Sequence, residues 1–223
     1  MHGFSLREDL GIENAMNNEE TQRFTHFMWP QGNDRFCETV RTYSNAAVKL
    51  DQVLVRMIFE NYGMEKHYDS HMESVTYLLR FLKYLPPPES IPTLALPQHT
   101  DSAFLSILHY NDVNGLEVKL KTDEWITMHI PPKSYFVLAG DIAKAWSNDR
   151  IHSCEHRVAM AGDKIRYTLA VFSYVKGMIS VPEELVDEEH PLMYKPFDNL
   201  ALIKFNATKE GREAKSLKAF CGI

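Results

Sequence analysis

Two histidines and an aspartate are the residues of this chain best suited to chemistry. His99-Thr100-Asp101 sets an imidazole and a carboxylate two positions apart, and His156 supplies a second imidazole further on. Two imidazoles and one carboxylate on one side of an ion form the facial set associated with non-haem iron(II), leaving the other side open for co-substrate and dioxygen. On a strand, side chains two apart share a face, so His99 and Asp101 are expected to project together while Thr100 points away. Arg166 and Thr168 repeat that spacing. A planar guanidinium beside a hydroxyl suits the far carboxylate of a small diacid whose other end chelates the metal. Together these residues predict an iron enzyme that uses oxygen and a keto acid.

Each signal is weak alone. The chain holds ten histidines, so chance spacing is a serious competitor. His67 and His71 stand four apart, but no glutamate beside His67 supplies the base of a zinc peptidase, and the pair reads as structural or solvent-facing. His152 falls in a polar loop and reads as exposed, while His109 and His129 read as ordinary strand residues. The same His-Asp-His set would also serve a zinc-binding cupin-like hydrolase. Arg166 and Thr168 argue against that alternative, because hydrolysis needs no clamp for a distant carboxylate.

The elements that must position these residues follow from periodicity. Phe36, Val40, Tyr43, Ala47, Leu50, Leu54 and Met57 recur at steps of four and three, predicting one long core-facing helix near 35–62. Asp34 is its expected cap and Gly63 its expected stop. Before it, the polar stretch punctuated by Gly3, Gly11, Pro30 and Gly32 reads as irregular. From Val75 to Tyr84 the texture becomes strand-like, closed by Leu85-Pro86-Pro87-Pro88. Further strands are expected at 104–110, 116–120, 125–130, 135–139, 156–160 and 165–174, separated by turn signals such as Asn114-Gly115 and Gly162-Asp163. A hairpin at Gly162-Asp163 would bring Arg166 beside His156. Many short strands and few helices point to a mainly β sandwich or barrel. The stretch 207–220 reads as a charged helix.

Composition narrows the class. At 223 residues one domain suffices, burying roughly 70% of its unfolded surface. A net charge of −6 argues against general nucleic-acid binding. No apolar run is long enough for a bilayer span, and the start lacks the pattern of a signal peptide. Cys37, Cys154 and Cys221 are odd in number and widely spaced, so neither a disulfide framework nor a thiolate metal site is expected, and a cytoplasmic setting is.

The chain resembles plant iron(II)/2-oxoglutarate-dependent dioxygenases. The likeness runs through LPQHTDSAFLSIL, NGLEV, DEWITMHIPPKSYFVLAGD, SNDRIHSCEHRV and KIRYTLAVF, in that order. The segment MWPQGNDRFCETV looks like the branch of glucosinolate side-chain enzymes that make alkenyl and hydroxyalkyl products, and auxin-oxidising dioxygenases are similar. The resemblance implies a double-stranded β-helix (jelly roll) core with supporting helices. It implies His99, Asp101 and His156 as iron(II) ligands, Arg166 on the distal carboxylate of 2-oxoglutarate, Thr168 where a serine is usual, and Tyr84 reaching the co-substrate. Leu82 stands at a position where the family carries asparagine. The implied reaction consumes 2-oxoglutarate and dioxygen, releases succinate and carbon dioxide, and hydroxylates, desaturates or oxidatively cleaves a small organic metabolite. A monomer with no membrane or nucleic-acid partner is expected.

Within the single domain 1–223, residues 1–73 are expected to be a helical support, 74–176 the dioxygenase core and 177–223 a C-terminal extension. Family members carry a further segment ahead of the matching region, so the support reads as truncated. An unpaired sheet edge and exposed apolar surface would follow. A truncated, catalytically inactive relative is the other alternative.

Overall fold

The computed structural model describes residues 6–88, 92–214 and 217–223, which leaves Gly3 and part of the expected helix at 207–220 outside it. Its first segment differs most from the sequence reading. The stretch expected to be irregular forms β1 (Arg7–Glu13) and α1 (Asn18–Met28). Asn17 caps α1 by accepting from the Glu19 amide at 2.8 Å. Thr21 and Thr25 make its buried face, their hydroxyls donating to main-chain oxygens. A helix that buries threonines shows no apolar stripe, which is why the pattern missed it.

The long helix α2 (Asp34–Asn61) is present, with two corrections. Its cap is Asn33, whose side chain accepts from the Phe36 amide at 3.0 Å. Asp34 is instead the first helical residue, where its charge meets the positive end of the helix. The buried face runs through Val40, Ser44, Ala47, Val48, Asp51, Val55 and Phe59, whereas Met57 of the expected stripe is 58% exposed. Two polar residues on the true face, Ser44 and Asp51, broke the apolar signal. Gly63, at φ +69°, ends the helix as expected. A short α3 (Tyr68–Ser74) then leads into the sheets.

Strand β2 (Val75–Tyr84) has the predicted bounds. After it come β3 (Thr93–His99), β4 (Leu105–Tyr110), β5 (Leu116–Lys119), β6 (Trp125–Thr127), β7 (Phe136–Ala139), β8 (His156–Met160) and β9 (Arg166–Val175). A helix the sequence reading did not foresee, α4 (Asp141–Trp146), sits between β7 and β8. The strands form two antiparallel sheets, ordered β1-β2-β9-β4-β7 and β3-β8-β5-β6. Side chains between them, including Leu82, Leu108, Leu116, Val158 and Phe172, form the inner core of the jelly roll. Gly162-Asp163 therefore makes no hairpin: β8 and β9 belong to opposite sheets, and the turn carries the chain across. Arg166 faces the sheet that carries His156 across the sandwich rather than along it.

Alternation sorts the faces of β2. Tyr77 and Leu79 turn outward with Ile107 and Val171, under Val40, Ala47 and Val48 of α2. Leu82 and Tyr84 turn inward. The expected unpaired edge is not at β2, because β1 pairs along it from Arg7 opposite Tyr84 to Glu13 opposite Leu78. Exposed apolar surface is found beside it: Leu10 is 46% and Tyr167 52% exposed, in an open groove of about 620 Å³ shared with Phe81 and Leu169.

The chain ends with β10 (Met178–Ile179), β11 (Phe197–Asp198), α5 (Asn199–Ala207), α6 (Lys209–Ala214) and α7 (Leu217–Cys221). Leu202, Leu217 and Cys221 join Phe59, Phe104 and Trp146 in a second core. Among the described residues no helix is long and apolar enough to cross a membrane.

Candidate functional site

His99 is the last residue of β3 and His156 the first of β8, and the two are cross-strand partners. Their ring centres lie 4.3 Å apart. Asp101 lies beyond the end of the strand, so the alternation invoked from sequence is not what unites it with His99. The chain bends after His99 and returns the carboxylate, with Oδ1 3.6 Å from Nε2 of His99 and 3.8 Å from Nε2 of His156. One ligand atom from each of the three lies within 4.8 Å of the others.

The surroundings of each group leave one atom free for an ion. Nδ1 of His99 faces the Pro97 carbonyl at 2.9 Å, and Nδ1 of His156 faces the Cys154 carbonyl at 3.2 Å. A carbonyl can only accept, so each Nδ1 carries the proton and each Nε2 keeps its lone pair. Asp101 Oδ2 accepts from the Ser106 hydroxyl at 2.6 Å, which directs Oδ1 to the imidazoles. Burial, then the neighbouring His156, lowers the pKa of His99 and favours the neutral, ligating form.

Across the cavity, β9 presents Arg166 and Thr168 on its buried face. Arg166 is 1% exposed, and its Nη1 donates to the Thr168 hydroxyl. Its guanidinium lies 4.3 Å from the centre of the Tyr110 ring and 5.4 Å from that of Tyr84. Nε has no hydrogen-bond partner, and no carboxylate pairs with the guanidinium among the described residues. A buried cation without a counter-charge is costly, so the fork is shaped to receive an anion. The same His-Asp-His set, Arg166, Thr168 and Tyr84 line one cavity of about 300 Å³. Every site residue inferred from sequence is thus brought together, and Leu82 lines the same space.

Among the described residues, the other histidines weighed from sequence stay apart from this centre. His67 faces Glu184 at 3.2 Å, and His71 is packed between the rings of Phe59 and Phe104. His152 is exposed.

Among the cavity-wall residues that sequence reasoning missed are Arg7, Arg80, Ile203 and Asn206. Arg80 was within reach, because it alternates with Leu82 and Tyr84 on β2. Arg7 was not, since β1 went unrecognised. Asp9 lies between the two arginines, 2.5 Å from each. Asn206 on α5 donates to the Ser102 hydroxyl at 3.0 Å, which ties α5 to the loop that carries Asp101.

Comparison with known proteins agrees with this geometry. The 2OG-Fe(II) oxygenase superfamily matches residues 56–174. The "Probable 2-oxoglutarate-dependent dioxygenase AOP1.2" of Arabidopsis thaliana is 42% identical over 234 residues, covering 100% of this chain and 73% of that protein. Among solved structures, the rice dioxygenase for auxin oxidation superposes with a TM-score of 0.79 at 27% identity, covering 90% of this chain and 68% of its own. The dioxygenase for auxin oxidation 1 of Arabidopsis thaliana, solved as a binary complex with 2-oxoglutarate, gives 0.76 at 29% identity over 83% of this chain and 70% of its own. This chain belongs to the 2OG-Fe(II) oxygenase superfamily, an oxidoreductase whose metal is iron(II) and whose co-substrates are 2-oxoglutarate and dioxygen.

Proposed function

We propose that His99, Asp101 and His156 hold the iron and that Arg166, Thr168 and Tyr84 anchor 2-oxoglutarate. The observation that carries this reading is the Arg166 guanidinium, buried and short of a partner in the cavity that also holds the triad. When bound, iron(II) and 2-oxoglutarate would activate dioxygen, which is the oxidant: the keto acid would give up two electrons and be decarboxylated to succinate and carbon dioxide, and the substrate would give up the other two. The chain's own share is placement. Arg166 and Thr168 grip the distal carboxylate, and Tyr84 borders it. The carbonyls behind the two histidines orient the rings so that Nε2 of each faces the metal position. Leu82, Leu116, Val158 and Phe172 supply the apolar part of the chamber wall, which limits access of water on that side. A zinc hydrolase leaves Arg166 unexplained, and an inactive relative leaves the intact ligand set unexplained.

The organic substrate in this reading is a small plant metabolite, with a glucosinolate side chain ahead of a hormone such as auxin. Its hydroxylation, desaturation or oxidative cleavage depends on how it lies in the cavity. Arg7 and Arg80, which share the single carboxylate of Asp9, leave one positive charge in excess on the wall, which favours a substrate with an acidic group. We take the enzyme to be a cytoplasmic monomer without membrane or nucleic-acid partners, in keeping with its net charge of −6. Residues 1–73 serve as support, 74–176 as catalytic core and 177–223 as an extension that closes over it.

The test is succinate release from 2-oxoglutarate by the purified chain with ferrous iron, with plant extracts screened for masses that change with 2-oxoglutarate consumption. Iron- and keto-acid-dependent succinate formation is expected. Turnover that ignores 2-oxoglutarate would remove the reading.

A further inference from the structure

We infer that Asp141 is the positioning residue of the metal centre, a buried carboxylate that ties together the two chain segments carrying the ligands. The inference rests on the assignment of His99, Asp101 and His156 as those ligands. Asp141 opens α4 and is 5% exposed. Its Oδ2 accepts from the Thr100 hydroxyl at 2.9 Å and its Oδ1 from the Ser153 hydroxyl at 2.8 Å. Thr100 is the residue between His99 and Asp101. Ser153 adjoins Cys154, whose carbonyl faces Nδ1 of His156. One side chain therefore holds the exit of β3 with one oxygen and the entry to β8 with the other.

The main chain strengthens the tie. The Asp141 amide donates to the Asp101 carbonyl at 2.7 Å, the Ile142 amide to Ala103 at 3.2 Å and the Gly140 amide to Phe104 at 3.0 Å. Contact is close enough that a Cβ on Gly140 would fall 2.1 Å from the Ala103 oxygen and 2.6 Å from that of Asp101. Thr100, expected only to point away from the metal, thus has a task on its far side.

Filling space does not require a buried carboxylate, and an apolar residue would spare its desolvation. A carboxylate does provide two acceptors at fixed separation, each forming a charge-assisted bond to a hydroxyl. Both oxygens are engaged in this way, and Asp141 lies outside the group whose atoms can share an ion. Its influence on the metal passes through Thr100 and Ser153. Partners of this kind orient ligands that would otherwise sample several rotamers.

The test uses cobalt(II) alone as the probe, read by chelator competition and by its ligand-field absorption, beside thermal melting of each apo-protein. Asp141→Asn is expected to bind cobalt(II) about 10–100-fold more weakly with an altered ligand-field spectrum. Thr100→Val should move in the same direction, and Thr100→Ser, which restores the hydroxyl, should recover wild-type binding. A general loss of stability would lower the melting temperature without this hydroxyl-dependent change in spectrum. Wild-type affinity and spectrum in folded Asp141→Asn would overturn the inference. Should that variant fail to fold, unchanged binding in both Thr100→Val and Ser153→Ala would do the same. Failure of the wild-type chain itself to bind cobalt(II) would instead sink the ligand assignment beneath it.

Discussion

Tyr84 and Arg166 face each other across paired strands β2 and β9, with the guanidinium carbon 5.4 Å from the phenol ring centre. The ring covers one flank of a cation that Tyr110 covers from another side, at 4.3 Å. Two aromatic faces and the Thr168 hydroxyl fix the plane of the fork before any ligand arrives.

Arg166→Lys keeps the charge and loses the plane. A point ammonium cannot make two parallel bonds to a carboxylate, so the apparent KM for 2-oxoglutarate should rise by about 10-fold or more. Initial rates of succinate formation across a 2-oxoglutarate titration check this. An unchanged KM would place the anchor elsewhere.

Asp101→Ala removes one of three ligands and orphans the Ser106 hydroxyl. Ferrous-dependent turnover should fall by more than the roughly 10–100-fold loss seen when an outer partner is removed, while the fold persists. Succinate release and circular dichroism on the same sample separate the two effects. Full activity would refute the assignment.

Asp51 and His71 should oppose each other in the response of stability to acid. Burial raises Asp51 from 3.8 to about 6, partly offset by hydrogen bonds from Ser173 and Tyr77. A carboxyl with a raised folded pKa adds stability that is full below pH 3.8 and lost as pH rises through about 6. The effect spans on the order of 2–3 kcal/mol. Asp51→Asn should remove this pH dependence and leave stability at pH 7 near or above wild type. Chemical denaturation at pH 4.5 and 7 measures it, and a large loss at pH 7 would contradict it.

Burial lowers His71 from 6.5 to about 4. Its contribution is present above pH 6.5 and lost as pH falls through about 4, the reverse of Asp51. The Nε2 atom has no partner, and Phe59 and Phe104 pack on the ring. His71→Phe should therefore weaken acid destabilisation between pH 6.5 and 4. The same denaturation series reads it, and an unaltered acid limb would show that His71 is not responsible.

The candidate site residues were more legible in the sequence than the elements that hold them. His99, Asp101, His156, Arg166, Thr168 and Tyr84 all meet in one cavity, because their order along the chain identified a familiar site. Their routes there were less visible. Asp101 arrives through a bend, which alternation does not anticipate. Arg166 comes from the facing sheet, since pairing partners of β8 and β9 depend on distant strands. Threonines hid α1, and Ser44 and Asp51 hid the true face of α2. In both helices polar side chains stand on the buried face, where a search for apolar periodicity does not register them.

The division of labour between the sheets has a thermodynamic consequence. Both histidines belong to the four-stranded wall, whereas Arg166, Thr168 and Tyr84 belong to the five-stranded one. In the proposed reading, a diacid bound to the metal at one end and to Arg166 at the other would rivet the sandwich shut. Metal by itself would engage the two histidines of one wall and Asp101 of the connecting loop, leaving Arg166 unengaged, so melting should shift upward most when iron(II) and 2-oxoglutarate are supplied together, by more than their separate effects combined.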